Sequence, residues 1–348
     1  MKMWKMWKIW VVGVAIAVAF FTAGSFVNAE AADAVKGGGA KDGAKDGTKK
    51  ELFVIRTQIQ SVHNEIQIAE LLGFFEEEGI KIEYVGGVEG LSTLQMLEQG
   101  LIDAQTNTHP NRAAQARIAG MKVRCAVPGM VDHPDYPHVR YFARPDGAVK
   151  TLKDIVGKKV AIQNYNSCYD GYLRTYLKDN GLPDDVEWVT LAKGGHAEQA
   201  LTQGLIDLTT THPPFGGIAA RAGNKEVATS WDIFRSPAAG LAVHIFKEDF
   251  LNAHPEEMKA FSRAMYKARK WNNEHMAEAI ALVGGALGLD TSTLSVEWDG
   301  RWYSEEPGFL KEDIDMWFDI CEALGYWNPG DVEPEDIYTN DYAPTEKL

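Results

Sequence analysis

Apolar positions in this chain recur at two spacings, and the order in which those spacings alternate outlines its architecture. Leu52-Phe53-Val54-Ile55 is a continuous apolar run of strand length, and Ile66, Ala69 and Leu72 follow at helical spacing, closed by Gly73. Ile80, Ile82 and Tyr84 then alternate as one face of a strand does, before Leu91, Leu94 and Leu97 return to the helical period. The succession restarts at Val160-Ala161-Ile162. Tyr172, Leu173, Tyr176 and Leu177 mark a helix closed by Gly181, Trp188 to Leu191 a strand, and Ala197, Ala200 and Leu201 another helix. Strand, helix, strand, helix, strand, read twice, predicts two α/β lobes with largely parallel sheets.

The two halves share more than a period. Gln99 to Pro110 reads QGLIDAQTNTHP and Gln203 to Pro213 reads QGLIDLTTTHP, the second copy one residue shorter between Asp and His. A match of this length and order identifies an internal repeat. Each Thr-His-Pro should end a strand and open a loop, at the sheet edge where α/β proteins hold ligands. Two lobes presenting equivalent loops to each other would enclose a cleft.

A third segment is expected to return to the first lobe. Leu241 to Phe246 reads as a crossing strand, and His254-Pro255-Glu256-Glu257 opens a helix with Pro in its first turn and acids near its positive end. Met258, Phe261, Met265 and Ala268 would face inward, and further helices are expected near Glu274 to Leu287 and Glu312 to Leu324.

Composition changes the picture mainly at the N-terminus. Lys2, Lys5 and Lys8 precede an uncharged stretch from Ile9 to Ala29 that ends in Val27-Asn28-Ala29, the layout of a secretory signal peptide cleaved after Ala29. A retained membrane anchor is the competing reading, since the run is long enough to span. Residues 30–50, with KDGAKDG, have almost nothing to bury and read as a flexible linker. Loss of the leader lysines takes the formal charge from −14 to −17. That balance argues against a nucleic-acid partner, whose phosphates need clustered Lys and Arg, while leaving an anionic ligand open, because local fields govern a cleft. Cys125, Cys168 and Cys321 are far apart with no CxxC, which fits isolated buried thiols better than a redox or zinc motif.

Candidate ligand groups lie at the strand-to-helix turns. Tyr165, Asn166 and Ser167 open the Tyr172 helix, where free amides and a partial positive charge suit an oxyanion or carboxylate; Asn166 or Ser167 can equally cap the helix. Ser61 and His63 occupy the equivalent turn of the first lobe. Ser92 and Thr93 follow Gly86-Gly87 and Gly90, and Ser92 reads equally as a cap. Thr108 with His109, and Thr211 with His212, carry the repeated loops, and His196 follows Gly194-Gly195. His109 and His212 are read as lining the cleft or ordering their own loops, not as metal ligands, since no neighbouring set has metal-ligand spacing. His133 and His138 read as surface residues, and Trp302 and Tyr303 as packing. No nucleophile elbow, P-loop or dinucleotide fingerprint appears, so no catalytic residue is assigned.

These residues resemble a known family. Glu65 to Glu70 with Gly73-Phe74-Phe75-Glu76-Glu77-Glu78-Gly79-Ile80 is similar to its "A…G-F-F-x-x-E-G-I" opening, and Thr151 to Ala161 to its "L-x-D-L-x-G-K-x-V-A" segment. The paired Gly-Leu-Ile-Asp and the His-Pro-Glu-Glu helix start complete a likeness, over Leu52 to Gly325, to periplasmic solute-binding proteins of the nitrate, sulfonate and taurine type, a group that includes thiamine-pyrimidine-synthase-like proteins. The resemblance implies a type II periplasmic-binding fold, two doubly wound lobes joined by hinge strands. Residues 51–143 would form the first lobe, 144–238 the second, and 239–348 the return and C-terminal helices. It implies a monomer that captures a small oxyanion, sulfonate or carboxylate for an ABC permease, with no cofactor. An enzyme on the same scaffold, or a module feeding a membrane sensor, are the alternatives; the cysteine-rich segment of the synthase relatives is absent.

Overall fold

In the computed structural model, residues 51–59, 62–88 and 91–345 are described. The expected leader (1–29), the linker (30–50) and Ser61 lie outside them. Ten strands form two five-stranded sheets: β1 Phe53–Gln58, β2 Ile80–Val85, β3 Ala104–Thr108, β4 Val123–Pro128, β5 Arg140–Ala143, β6 Lys159–Ile162, β7 Glu187–Thr190, β8 Leu208–Thr211, β9 Lys225–Thr229 and β10 Val243–Lys247. Their spatial orders, β2-β1-β3-β10-β4 and β7-β6-β8-β5-β9, correspond strand for strand.

The sequence repeat explains that correspondence. In each copy Gln99 or Gln203 ends a helix, and Gly100 or Gly204 follows at φ +71° or +74°, a left-handed turn that glycine adopts without strain. The Leu101 and Leu205 amides then reach back to the Met96 and Ala200 carbonyls, closing both helix ends identically. The aspartates act as staples: an Asp103 carboxylate oxygen accepts the Arg56 amide at 2.8 Å, and Asp207 accepts that of Lys159 at 3.0 Å. Each acid thereby ties the third strand of its unit to the first.

The expectation of largely parallel sheets holds for four of the five strands in each sheet. The repeat strands run parallel, but β10 lies antiparallel between β3 and β4, and β5 antiparallel between β8 and β9. Each inserted strand follows a crossing from the other sheet. Arg140–Ala143, expected at the end of the first lobe, therefore belongs to the second sheet: pairing with Leu208–Thr211 satisfies its backbone there.

The two crossings run side by side. Ala242 donates its amide to the Met130 carbonyl and accepts the Gly129 amide, both at 2.8 Å, and Asp132 donates to Pro237 at 2.9 Å. Gly240 is required here, because a Cβ would stand 2.1 Å from the Asp132 backbone nitrogen. Helix Pro255–Glu274 covers the first sheet, with Met258, Phe261, Met265 and Ala268 all buried as their spacing predicts. Helix Lys311–Ala323 brings Trp317 and Phe318 into a core drawn from both sheets.

Candidate functional site

Between the sheets, at the C-terminal ends of β3, β6 and β8, lies a cavity of about 620 Å³. Its walls come from the strand-to-helix turns, where unpaired helix-start amides and small polar side chains collect. Ser92 caps helix Thr93–Glu98 in a capping box with Gln95, so Ser92 and Thr93 reach the cavity from a fixed turn. Ser167 caps helix Cys168–Asp179 with Asp170 answering it, and still lines the cavity; capping and exposure to a ligand coexist there. Thr108, His109 and His212 also line it.

The other expected residues sit elsewhere. His63 is buried, with one ring nitrogen 3.1 Å from the Asn272 amide oxygen. Tyr165 is exposed, and Asn166, held at φ +54°, offers its carbonyl to the Asn111 side chain at 2.8 Å. His196 is exposed at the start of its helix, and Thr211 is buried within β8. Trp302 stacks on His133 and Tyr136, and Tyr303 is buried, so both pack as expected.

His138 is the main correction. Expected on the surface, it is 2% exposed and wedged between the two repeat histidines. Its Nε2 lies 3.2 Å from His109 Nε2, and its ring centre is 4.2 Å from that of His212. The crossing from β4 to β5 carries it inward, a consequence of chain path that its Pro-rich neighbours do not reveal. His212 in turn sits 3.4 Å from Cys168 Sγ and 2.9 Å from the Tyr169 hydroxyl.

Burial holds these histidines neutral. It pushes His109 down to about 4, opposed by the bond to Leu241, and drives His138 and His212 well below their ordinary value. The Arg301 guanidinium adds to the effect on all three. Burial and Arg301 also take His63 down to about 3 from 6.5, opposed by the Asn272 hydrogen bond and the Glu65 charge. The unfolded chain protonates His63 near pH 6.5 while the folded protein resists until near 3, so the unfolded state binds the extra proton in that window. Stability should therefore fall on acidification, by up to about 1.4 kcal/mol per pH unit from this residue. Asp132, raised to about 7 by burial, works in the opposite sense over the upper part of the range. Denaturant titrations between about pH 6 and about pH 4 should show a shallower acid loss for His63→Gln than for the unaltered chain.

Several cavity residues were not expected from the sequence. Arg112, in the first turn after the repeated Thr-His-Pro, places its guanidinium 3.1 Å from the Asn164 side-chain oxygen and 3.2 Å from the Tyr165 carbonyl. Together with Asn111 it joins a helix beside the first sheet to a loop of the second. Gln58, Asn107, Gln163 and Tyr169 complete the polar wall. Among the described residues the lining holds one fixed cation, Arg112, and no carboxylate. The helix register after His109 was the available signal, since positions 111 and 112 share its first turn.

A family model described as NMT1/THI5 like matches residues 60–279. Among characterised proteins, a putative aliphatic sulfonates-binding protein of Bacillus subtilis (strain 168) is 25% identical over 253 residues, 70% of this chain and 73% of that protein. Among solved structures, the periplasmic aliphatic sulphonate binding protein SsuA of Escherichia coli superposes with a TM-score of 0.65 at 18% identity, covering 83% of this chain and 99% of that one. The periplasmic nitrate-binding protein NrtA of Synechocystis PCC 6803 gives 0.66 at 12% identity, over 84% and 87%. These likenesses establish the two-lobed periplasmic-binding fold.

Proposed function

Because the chain belongs to the NMT1/THI5-like family, we propose that it is the extracytoplasmic solute-binding component of an ABC importer, taking a small oxyanion, sulfonate or carboxylate between its lobes. The observation that carries this reading is the charge of the cleft: in a chain of net charge −14, the described cavity lining has a cation and no acid. A carboxylate there would repel an anion in a partly desolvated space; Arg112, side-chain amides and the Ser92 and Ser167 turns attract one. The names of the relatives, which bind aliphatic sulfonates or nitrate, agree with that class.

The mechanism is closure about the paired crossings. The second lobe runs from Arg140 to about residue 238, and the first is assembled from both sides of it. An anion touching both walls binds the closed form better than the open one and shifts the population toward it. The Arg112 contacts to Asn164 and Tyr165 would be made on closure and released on opening. The leader-like sequence of the first 29 residues supports a site of action outside the cytoplasm, where the protein would work as a monomer that delivers to a membrane permease. No described helix is long and apolar enough to cross a membrane.

Thermal unfolding against nitrate, sulfate, bicarbonate, alkyl and aromatic sulfonates, carboxylates and pyrimidines tests this reading. A true solute at a hundred times its dissociation constant should add about 2.7 kcal/mol. A hit without turnover supports a binding protein for that class. Turnover of a panel compound would mark an enzyme on this scaffold, and no hit among the anions would overturn the anion assignment.

A further inference from the structure

At the back of the cleft, side chains from three separate parts of the chain bring nitrogen and sulfur donors together. His109 comes from the end of β3, His138 from the crossing that leads into β5, and Cys168 from the start of the helix after β6. Their ligand atoms all lie within 4.8 Å of one another. The geometry points to a binding site for a thiophilic d10 metal ion, copper(I) or zinc(II), held by His109, His138 and Cys168.

Four observations carry the assignment. First, His109 Nδ1 is 2.7 Å from the Leu241 carbonyl oxygen. A carbonyl only accepts, so Nδ1 carries the proton and Nε2 presents its lone pair to the cluster, the arrangement that a backbone carbonyl imposes on ligating histidines. Second, His109 and His138 Nε2 are 3.2 Å apart. Two nitrogens at the ordinary bond lengths on a tetrahedral ion would be separated by about 3.3 Å, so this edge is already formed. The longest separation must contract by roughly an ångström, since sulfur-to-nitrogen edges of such a site are about 3.6 Å. Third, His138 is buried and its Nδ1 has no hydrogen-bond partner among the described residues, so nothing there opposes the tautomer in which Nδ1 carries the proton and Nε2 ligates. Fourth, the sulfur has a supporting partner. His212 Nε2 lies 3.4 Å from Cys168 Sγ, and Tyr169 Oη lies 2.9 Å from Nδ1. With the tyrosine donating to Nδ1, Nε2 carries a proton aimed at a thiolate.

Charge sets the preference between the ions. Binding replaces the thiol proton, which leaves through the cavity that Cys168 lines, and the thiolate offsets one positive charge. No carboxylate belongs to the donor set, and the Arg301 guanidinium acts on both donor histidines. A monovalent soft ion therefore meets less repulsion than a dication, and two imidazoles with one thiolate suit copper(I). The set draws on both lobes and their connection, so an ion would also pin their relative position. This site needs no particular solute in the cleft, and its failure would leave the solute reading untouched.

Anaerobic competition of the reduced full chain against chromophoric copper(I) and zinc(II) chelators provides the test. One equivalent of copper(I) should be withheld, with a thiolate-to-metal absorption in the ultraviolet that requires no variant to observe. Cys168→Ser should abolish that absorption and weaken retention by more than about tenfold, and His109→Gln should weaken it similarly. Retention of zinc(II) in place of copper(I) would keep the site and overturn the charge argument. If neither ion is held stoichiometrically, or if Cys168→Ser changes nothing, the site does not exist. The anion panel run on the same metal-free protein reports the solute reading separately.

Discussion

Replacing Arg301 with methionine should cost about 3–5 kcal/mol of stability, the range expected when a buried charged partner is removed and the groups around it are left behind. Arg301 is 2% exposed and donates to the His63 and Pro213 carbonyls and, at 3.5 Å, to the Asn107 side-chain oxygen. His63 follows the first strand of one sheet, Asn107 lies within its third, and Pro213 follows β8 of the other. One guanidinium thus satisfies orphan acceptors of both lobes. Methionine fills comparable space but donates nothing, so buried carbonyls lose their partners. Equilibrium urea unfolding measures the loss. A change below about 1 kcal/mol would mean that water replaces the guanidinium and that the lobes are not joined through it. The same variant should bring His63 back toward its ordinary titration range, because Arg301 is the second cause of its depression after burial.

Arg112→Gln should weaken binding of the best anion in the solute panel by about tenfold to a hundredfold, the weight of a hydrogen bond to a charged group. Arg112 is half-buried on the cavity wall and lies in the first turn of helix Pro110–Ile118. Its removal deletes the fixed positive charge of the lining and the guanidinium contacts to Asn164 and Tyr165. Both losses act against the closed, liganded form. Stability without ligand should change little, since no other buried group depends on it. Calorimetric titration separates the outcomes: unchanged affinity would show that the anion is held by backbone amides and hydroxyls alone, and that closure does not need this contact.

Arg112 lies just beyond the stretch that the repeat marks. The repeated Gly-Leu-Ile-Asp-…-Thr-His-Pro located both cavity-bearing turns, because a helix end and the strand after it are set by residues within a dozen positions of each other. Its two histidines both line the cavity, with His138 packed between them. The residue two places beyond Pro110 carried no motif, and its role depends on a loop more than fifty positions away.

Periodicity and local capping determined the elements themselves: the helix faces, the Gly100 and Gly204 turns and the two matching α/β units. These are short-range effects, in which side-chain spacing, backbone dihedral preference and hydrogen bonding within a turn decide the outcome. Only the tertiary structure decided which strands exchange between the sheets, and hence the antiparallel insertions, the transfer of Arg140–Ala143 to the second sheet and the burial of His138. It also decided that His109, His138, Cys168 and His212 meet and that Arg301 stands among acceptors of both lobes. Those placements follow from burying two sheets and their crossings together with every backbone group paired. That condition couples residues from 29 to 238 positions apart and leaves no periodic trace in the chain.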